Sequence, residues 1–196
     1  MTDVCAIDER VSLVETVKTE VGSANDEMDE YRKYVRAVAA RADGIEVIQN
    51  RTPAHAGILL SALFDAASHE VNIICGALDD TAYGVYETVQ SAINYLRCRN
   101  GEISIVLEEK LPYAKSKFFR ALRDAGLMNR VHVRVASPEL VKTYVFHFLL
   151  ADRKHYRFQL HRKDFAAIAQ FGVSDTARLK TAFDAINERS TEYTPS

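Results

Sequence analysis

The 196-residue sequence contains little cysteine, proline or glycine and no long apolar run. Its three cysteines, Cys5, Cys75 and Cys98, lack the spacing of a metal site, and their odd number argues against a disulfide framework. No apolar segment is long enough to span a bilayer, and the acidic, polar N-terminus is unlike a signal peptide. We therefore expect a soluble, cytoplasmic protein that does not enter a membrane, and the sequence implies no cofactor.

Two common ligand motifs are also missing. Gly76 and Gly84 have neither the spacing nor the Lys-Ser/Thr pair of a phosphate-binding loop. None of the six histidines has another histidine four residues away, as a helical zinc site requires. The segment 76–84 still follows an expected strand, which is where α/β proteins place ligands. Asp79 or Asp80 in it is more often a helix cap, and we favour that interpretation.

The spacing of apolar residues predicts helices that alternate with strands. The first forty residues have the pattern of two helices, one between Asp8 and Val21 and one that begins at Asn25 or Asp26. We expect this arm, residues 1–43, to pack on the core or on a dimer partner, or to be a detachable regulatory arm. Further along, strands are predicted at 44–48, 71–75, 102–107 and 131–135, and helices at 51–70, at 84–97, after residue 117 and near the C-terminus.

Charge is distributed unevenly, although the chain sums to -2. Residues 1–30 are mainly acidic, whereas basic residues far outnumber acidic ones between 110 and 163. This asymmetry is typical of a surface that binds a polyanion. The alternative is that the basic residues form solvated helix faces, paired with the acidic arm within the molecule or across a dimer. Tyr113 lies among them and could stack a base, although such aromatic residues more often belong to the core. The candidate nucleic-acid-binding residues are Lys115, Lys117, Arg120, Arg134, Arg153 and Arg157.

The segment 144–158 predicts a β-hairpin. An apolar strand ends at Asp152, a polar turn follows, and a second strand returns with alternating character. His147 lies in the apolar strand and points away from the side of its two phenylalanine neighbours. It is therefore either a buried polar group with a partner or part of a site. A nonstandard catalytic pair of His147 and His155 across the hairpin is one interpretation, and a structural, hydrogen-bonded His147 is the other.

The order of elements between residues 50 and 186, about three quarters of the chain, resembles that of a phospholipase D-like domain. Members of this superfamily carry a His-x-Lys-x4-Asp motif. In that motif the histidine takes the phosphoryl group, the lysine neutralises phosphate oxygens and the aspartate orients a histidine. The resemblance implies an α/β domain, residues 44–196, with a mixed β-sheet flanked by helices and preceded by the N-terminal helical arm.

The motif is degenerate in this chain. When it is aligned on Asp152, the lysine position holds His147 and the histidine position holds Val145. When it is aligned on His147, the lysine and aspartate positions hold Leu149 and Lys154. Either alignment loses a required group, and no second motif is present.

Three functions are consistent with this combination. The leading hypothesis is a catalytically inactive module that binds nucleic acid or a protein partner, as a homodimer and as a subunit of a larger system. The alternative is a divergent, metal-independent phosphodiesterase or nuclease that acts as a homodimer, with His147, Asp152, Lys154 and His155 as its catalytic residues. A purely structural interaction protein is the third, and it would show no salt-dependent binding of nucleic acid.

Overall fold

A computed structural model describes residues 26–162 and 165–196. Residues 26–41 form helix α1, and the chain divides into two units between Tyr34 and Val35. The second helix expected in the arm corresponds to α1, whereas the first lies outside the described residues. The further helices are α2 (Pro53–Ala66), α3 (Tyr86–Cys98), α4 (Lys117–Asp124), α5 (Pro138–Val141) and α6 (Ala177–Glu188), with short 3₁₀ helices at Tyr113–Lys115 and Met128–Arg130.

Eight strands form one mixed sheet. They are β1 (Ile48–Asn50), β2 (Glu70–Cys75), β3 (Glu102–Leu107), β4 (Val131–Val135), β5 (His147–Ala151), β6 (His155–Gln159), β7 (Ala167–Gln170) and β8 (Thr191–Glu192). Their order is β1-β7-β6-β5-β2-β3-β4-β8, in which β2, β3 and β4 are parallel and all other neighbours are antiparallel. Of the parallel strands, β2 and β3 are central and largely buried, and the helical connections explain their largely apolar sequences, whereas β4 alternates valines with the less buried His132 and Arg134.

Helices cover both faces of the sheet, as the sequence predicted. On one face α2 packs on β5 and β6, and α3 packs on α2 through a buried contact between the hydroxyls of Ser61 and Ser91. On the other face, Phe148 and Leu150 of β5 pack with Phe183 and Ile186 of α6. Successive residues of β5 therefore serve two different cores, because a strand alternates its faces.

The first strand is displaced from its predicted position. Residues 44–48 were expected to be extended, but β1 begins only at Ile48. Gly44 has a left-handed φ of +73° and donates its N–H to the carbonyl of Phe171, so the chain turns there. Ile45 and Val47 are consequently 80% and 48% exposed. Within the described ranges, no helix is long and apolar enough to cross a membrane.

Candidate functional site

The sheet topology brings several loops together at one edge. Gly76 follows β2 and Glu108 follows β3, so both lie at the carboxyl ends of parallel strands. Because β5 is antiparallel to β2, its first residue, His147, lies at this same edge. Arg162 reaches it from the segment after β6. This is the position where α/β sheets commonly bind ligands.

At this edge, Glu108 joins His147 and Arg162 through one hydrogen bond and one ion pair. Oε1 of Glu108 lies 3.1 Å from Nε2 of His147 and 3.2 Å from a terminal nitrogen of Arg162. The other terminal nitrogen of Arg162 donates to the carbonyls of Val141 and Tyr144, and its guanidinium lies 5.3 Å from the centre of the Tyr144 ring. The carboxylate therefore fixes the imidazole, and the predicted structural interpretation of His147, with a carboxylate partner, matches this geometry.

A cleft of about 280 Å³, here called the main cleft, opens beside His147. Arg157 and Gln159 of β6 line one side of it, and residues of α2 and of the loop after β2 line the other. Cys75 and Tyr83 also line it, and burial raises the pKa of both side chains, so they stay protonated and neutral. A second cleft shares Gly76, His147 and Arg162 with the main cleft and reaches Val145, which is 58% exposed.

Asp152 does not belong to this edge. It occupies the hairpin turn at the opposite end of β5, about 16 Å from His147 along the strand. Its carboxylate accepts the backbone N–H groups of Ser68, His69 and Glu70 at 2.6, 2.8 and 3.0 Å. Within one chain, Asp152 therefore ties the hairpin turn to the start of β2 and cannot orient His147.

The pairing of His147 with His155, one of the two interpretations of the hairpin, does not occur within one chain. The strand register places His147 opposite Gln159 and His155 opposite Ala151, at the two ends of the hairpin. His155 is buried and its Nδ1 accepts the N–H of Gly172. Burial lowers its pKa, with a smaller opposing effect from Asp152. Lys154 is exposed at the turn, also far from His147.

The six candidate nucleic-acid-binding residues fall into two groups. Lys115, Lys117 and Arg120 are exposed near the start of α4, and within the described part of the chain their side chains make no ion pair. We call these three residues the α4 basic surface. The hydroxyl of Ser116 caps α4, and Asp80 accepts the N–H of Lys117 at 2.8 Å. Asp80 therefore caps a helix, which is the role favoured for Asp79 or Asp80. The helix that it caps is α4, and not α3, which follows it in the chain.

The other three arginines have structural partners and do not form one surface. Arg134 donates to the carbonyls of Asn187 and Ser190 and contacts Glu192, which joins β4 to the C-terminal segment. Arg153 pairs with Glu70 at the hairpin turn. Arg157 is buried in the main cleft. Sequence spacing did not separate these cases because it does not reveal which side chains point at protein oxygens.

Two functional candidates were missed by sequence reasoning. Glu108 was not singled out, and Arg162 contributed only to the excess of basic residues between 110 and 163. A usable signal existed for Glu108, because it is the first residue after a buried parallel strand. No comparable signal marks Arg162, which reaches the edge through the chain reversal after β6. Among residues 26–162 and 165–196, no group of three His, Cys, Asp or Glu side chains is arranged to hold a metal ion.

No protein-family model and no curated protein matches this sequence. Solved structures do match it. TrmBL2, an archaeal chromatin protein, aligns with a TM-score of 0.55 and 15% identity over 98% of this chain and 72% of its own. NucT from Helicobacter pylori aligns with a TM-score of 0.51 and 11% identity over 76% of this chain and all of its own. The fold is phospholipase D-like.

At such low identity, the likeness to these proteins concerns the fold alone. In this phospholipase D-like fold, the hairpin predicted within residues 144–158 is present as β5 and β6. The assignment of Val145 and His147 to the histidine and lysine positions of the motif stays a prediction.

Proposed function

We propose that this chain is a non-cleaving phospholipase D-like module that binds nucleic acid through the α4 basic surface. The observation that carries the proposal is the exposure of Lys115, Lys117 and Arg120 on one short stretch, without ion pairs among the described residues. Unpaired cations on a common surface are available to phosphate groups, and they release counterions when they bind. TrmBL2 is described as binding DNA in a novel mode, which supports a nucleic-acid ligand for this fold.

The arrangement around the motif supports the absence of cleavage. An exposed valine at position 145 offers no nucleophile, and Asp152 is engaged by three backbone N–H groups. We also propose that the module forms a homodimer. This homodimer would be a subunit of a larger system, and its protein partner would be another component of that system.

The salt dependence of binding tests this proposal. Fluorescence anisotropy with labelled single- and double-stranded DNA and RNA would be measured over a range of salt concentrations. Three phosphate contacts predict a slope of log K against log salt of about -2 to -3, which should approach zero in Lys115→Gln/Lys117→Gln/Arg120→Gln. A matched control, Lys142→Gln/Arg178→Gln/Arg189→Gln, removes the same charge from exposed positions of other elements and should keep most of the slope. Equal losses in the two variants would contradict a specific surface and indicate a net-charge effect.

One observation favours the alternative, a metal-independent phosphodiesterase. His147 and Glu108 form a histidine–carboxylate pair beside a cleft that also contains two arginines, which is a set suited to nucleophilic or base catalysis on a phosphate ester. Cleavage of the same nucleic acids would be assayed in excess EDTA. We expect none from the wild-type chain. Cleavage that persists in EDTA and is lost in both His147→Gln and Glu108→Gln would replace the binding module with this enzyme.

A further inference from the structure

Tyr86, the first residue of α3, is the most exposed aromatic side chain in the described ranges, at 80%. It makes no ring contact and no side-chain hydrogen bond with any described residue. An aromatic ring carries a large apolar surface, and folding leaves this one in water. A single exposed aromatic residue is common in proteins, so its meaning depends on what lies beside it.

Helices α3 and α4 lie side by side and run in the same direction. They connect β2 to β3 and β3 to β4, which are parallel, and right-handed connections of this kind place both helices on one face of the sheet. Near their starts, Asp80 accepts the N–H of Lys117 at 2.8 Å. At their other ends, Arg97 of α3 donates to the carbonyl of Ala125, the residue that ends α4, at 3.4 Å. These two contacts, one at each end, fix the parallel alignment.

This alignment brings Tyr86 next to the α4 basic surface. Tyr86 and Lys117 are the first residues of their helices, and the axes of packed helices are about 8–10 Å apart. Both side chains are exposed and therefore point to the solvent side of the helical layer. Asn94 and Arg97 are also exposed and follow Tyr86 along the same side of α3. An aromatic ring and several cations thus share one surface.

The acidic side chains near Tyr86 in the sequence are held by other groups. Glu87 pairs with Arg36 at 3.1 Å. The carboxylate of Asp80 is bound to the first N–H of α4, and that of Asp79 accepts the N–H and the hydroxyl of Thr81. Their charges are therefore partly compensated, and the cations of the α4 basic surface remain available to phosphate groups.

The other aromatic residue among these cations is less suited to stacking. The guanidinium of Arg123 lies 4.7 Å from the centre of the Tyr113 ring and covers one of its faces. Tyr113 is also partly buried, and its backbone N–H is bonded to the carbonyl of Ser196. Tyr86 has neither restriction, so it replaces Tyr113 as the candidate for contact with a base.

We propose that Tyr86 stacks on a base of a single-stranded nucleic acid whose phosphates contact the α4 basic surface. Sites for single strands combine cations along the backbone with aromatic rings on which bases stack. In a duplex the base faces are covered by their neighbours, whereas an unpaired base can turn its face to a protein ring. The proposal rests on the nucleic-acid binding proposed above, and it adds a preference for single strands and the residue that produces it.

Binding of a labelled single-stranded oligonucleotide and of its duplex, as DNA and as RNA, tests the preference by fluorescence anisotropy. Tyr86→Ala should weaken binding of the single strand about fivefold or more and binding of the duplex less than about twofold. Tyr86→Phe keeps the ring and should bind the single strand within about twofold of the wild type. Because tyrosine is uncharged, the salt dependence of Tyr86→Ala should equal that of the wild type.

Tyr86→Trp reports the stacking directly. The chain contains no tryptophan, so the new indole would be its only one. Its fluorescence should be quenched when the unlabelled single strand binds, because the ring then lies against a base. Ile45→Trp is the matched control, since Ile45 is also 80% exposed and lies next to Gly44, which is bonded to Phe171 and not to α3 or α4. Its fluorescence should not change.

The outcomes separate this inference from the proposed function. Equal effects of Tyr86→Ala on single strand and duplex, no effect on either, or equal quenching at positions 86 and 45 would overturn the stacking of Tyr86. Salt-dependent binding that is lost in Lys115→Gln/Lys117→Gln/Arg120→Gln would then still support the nucleic-acid module. Absence of binding to every oligonucleotide by the wild-type chain would overturn both.

Discussion

Replacement of Asp152 separates a structural role from a catalytic one. In the family motif the aspartate orients a histidine, whereas here its carboxylate accepts three backbone N–H groups at the start of β2. Its backbone also has a left-handed φ of +51°, a conformation that asparagine and glycine tolerate better than alanine does. The predicted result is a loss of stability that depends on which side chain replaces the aspartate.

The magnitudes follow from these contacts. Each charge-assisted bond is partly exposed, so we assign about 1 kcal/mol to each and about 3 kcal/mol to all three. Asp152→Ala should lose this amount and a further ~1 kcal/mol from the left-handed backbone, about 4 kcal/mol in total. Asp152→Gly avoids most of the backbone strain and should cost about 3 kcal/mol. Asp152→Asn keeps one oxygen, which accepts two of the bonds, and should cost about 1–2 kcal/mol.

Urea unfolding followed by circular dichroism would measure these free energies of unfolding. The order alanine, glycine, asparagine from most to least destabilised is the result expected from the geometry. Nucleic-acid binding by the folded Asp152→Asn variant should equal that of the wild type. Nearly equal stability of the alanine variant and the wild type would refute the structural role, and so would a loss of nucleic-acid binding in Asp152→Asn without a loss of stability.

Three further predictions concern single positions. Burial lowers the pKa of His155 below its ordinary value of 6.5, so the unfolded chain binds a proton more readily than the folded chain. The contribution of neutral His155 to the free energy of unfolding should be fully present above about pH 6.5 and should decrease as the pH falls below that value. In urea unfolding measured over a range of pH, His155→Gln should show a smaller decrease below pH 6.5 than the wild type. Glu108→Gln should cost about 2 kcal/mol, because the carboxylate holds both His147 and an arginine, and a double-mutant cycle with His147→Gln should reveal their coupling. Gly172→Ala should cost at least about 2 kcal/mol more than Gly126→Ala in thermal unfolding, since both glycines have positive φ but only at Gly172 would the new Cβ collide with backbone, 1.6 Å from a carbonyl oxygen.

The regular elements were predictable where a local pattern was strong. The strands at 102–107 and 131–135 and the helix that begins near Pro53 appear where the apolar periodicity placed them. Prediction was less accurate at β1. The strand was predicted to begin at residue 44, but Gly44 forms a turn there and donates its N–H to the carbonyl of Phe171. That bond joins residues far apart in sequence, so no local pattern indicates it.

The candidate site was predictable only in part. His147 was singled out because a histidine in an apolar strand requires a partner or a function, and this reasoning uses only the alternation of a strand. Its partner Glu108 and the neighbouring Arg162 come from other segments, and only the strand order β5-β2-β3 brings them to one edge. The separation of His147 from His155 depends on the hairpin register, which a turn of uncertain length does not specify.

The sequence by itself determined the fold class, because alternating helical and strand periodicities, a hairpin signal and an apolar fraction of 47% are properties of local residue order. It also determined that basic residues concentrate in the second half of the chain. Only the tertiary structure decided what each charge does. Arg134, Arg153 and Arg157 contact protein oxygens, whereas Lys115, Lys117 and Arg120 face solvent, and this difference arises from contacts between distant segments.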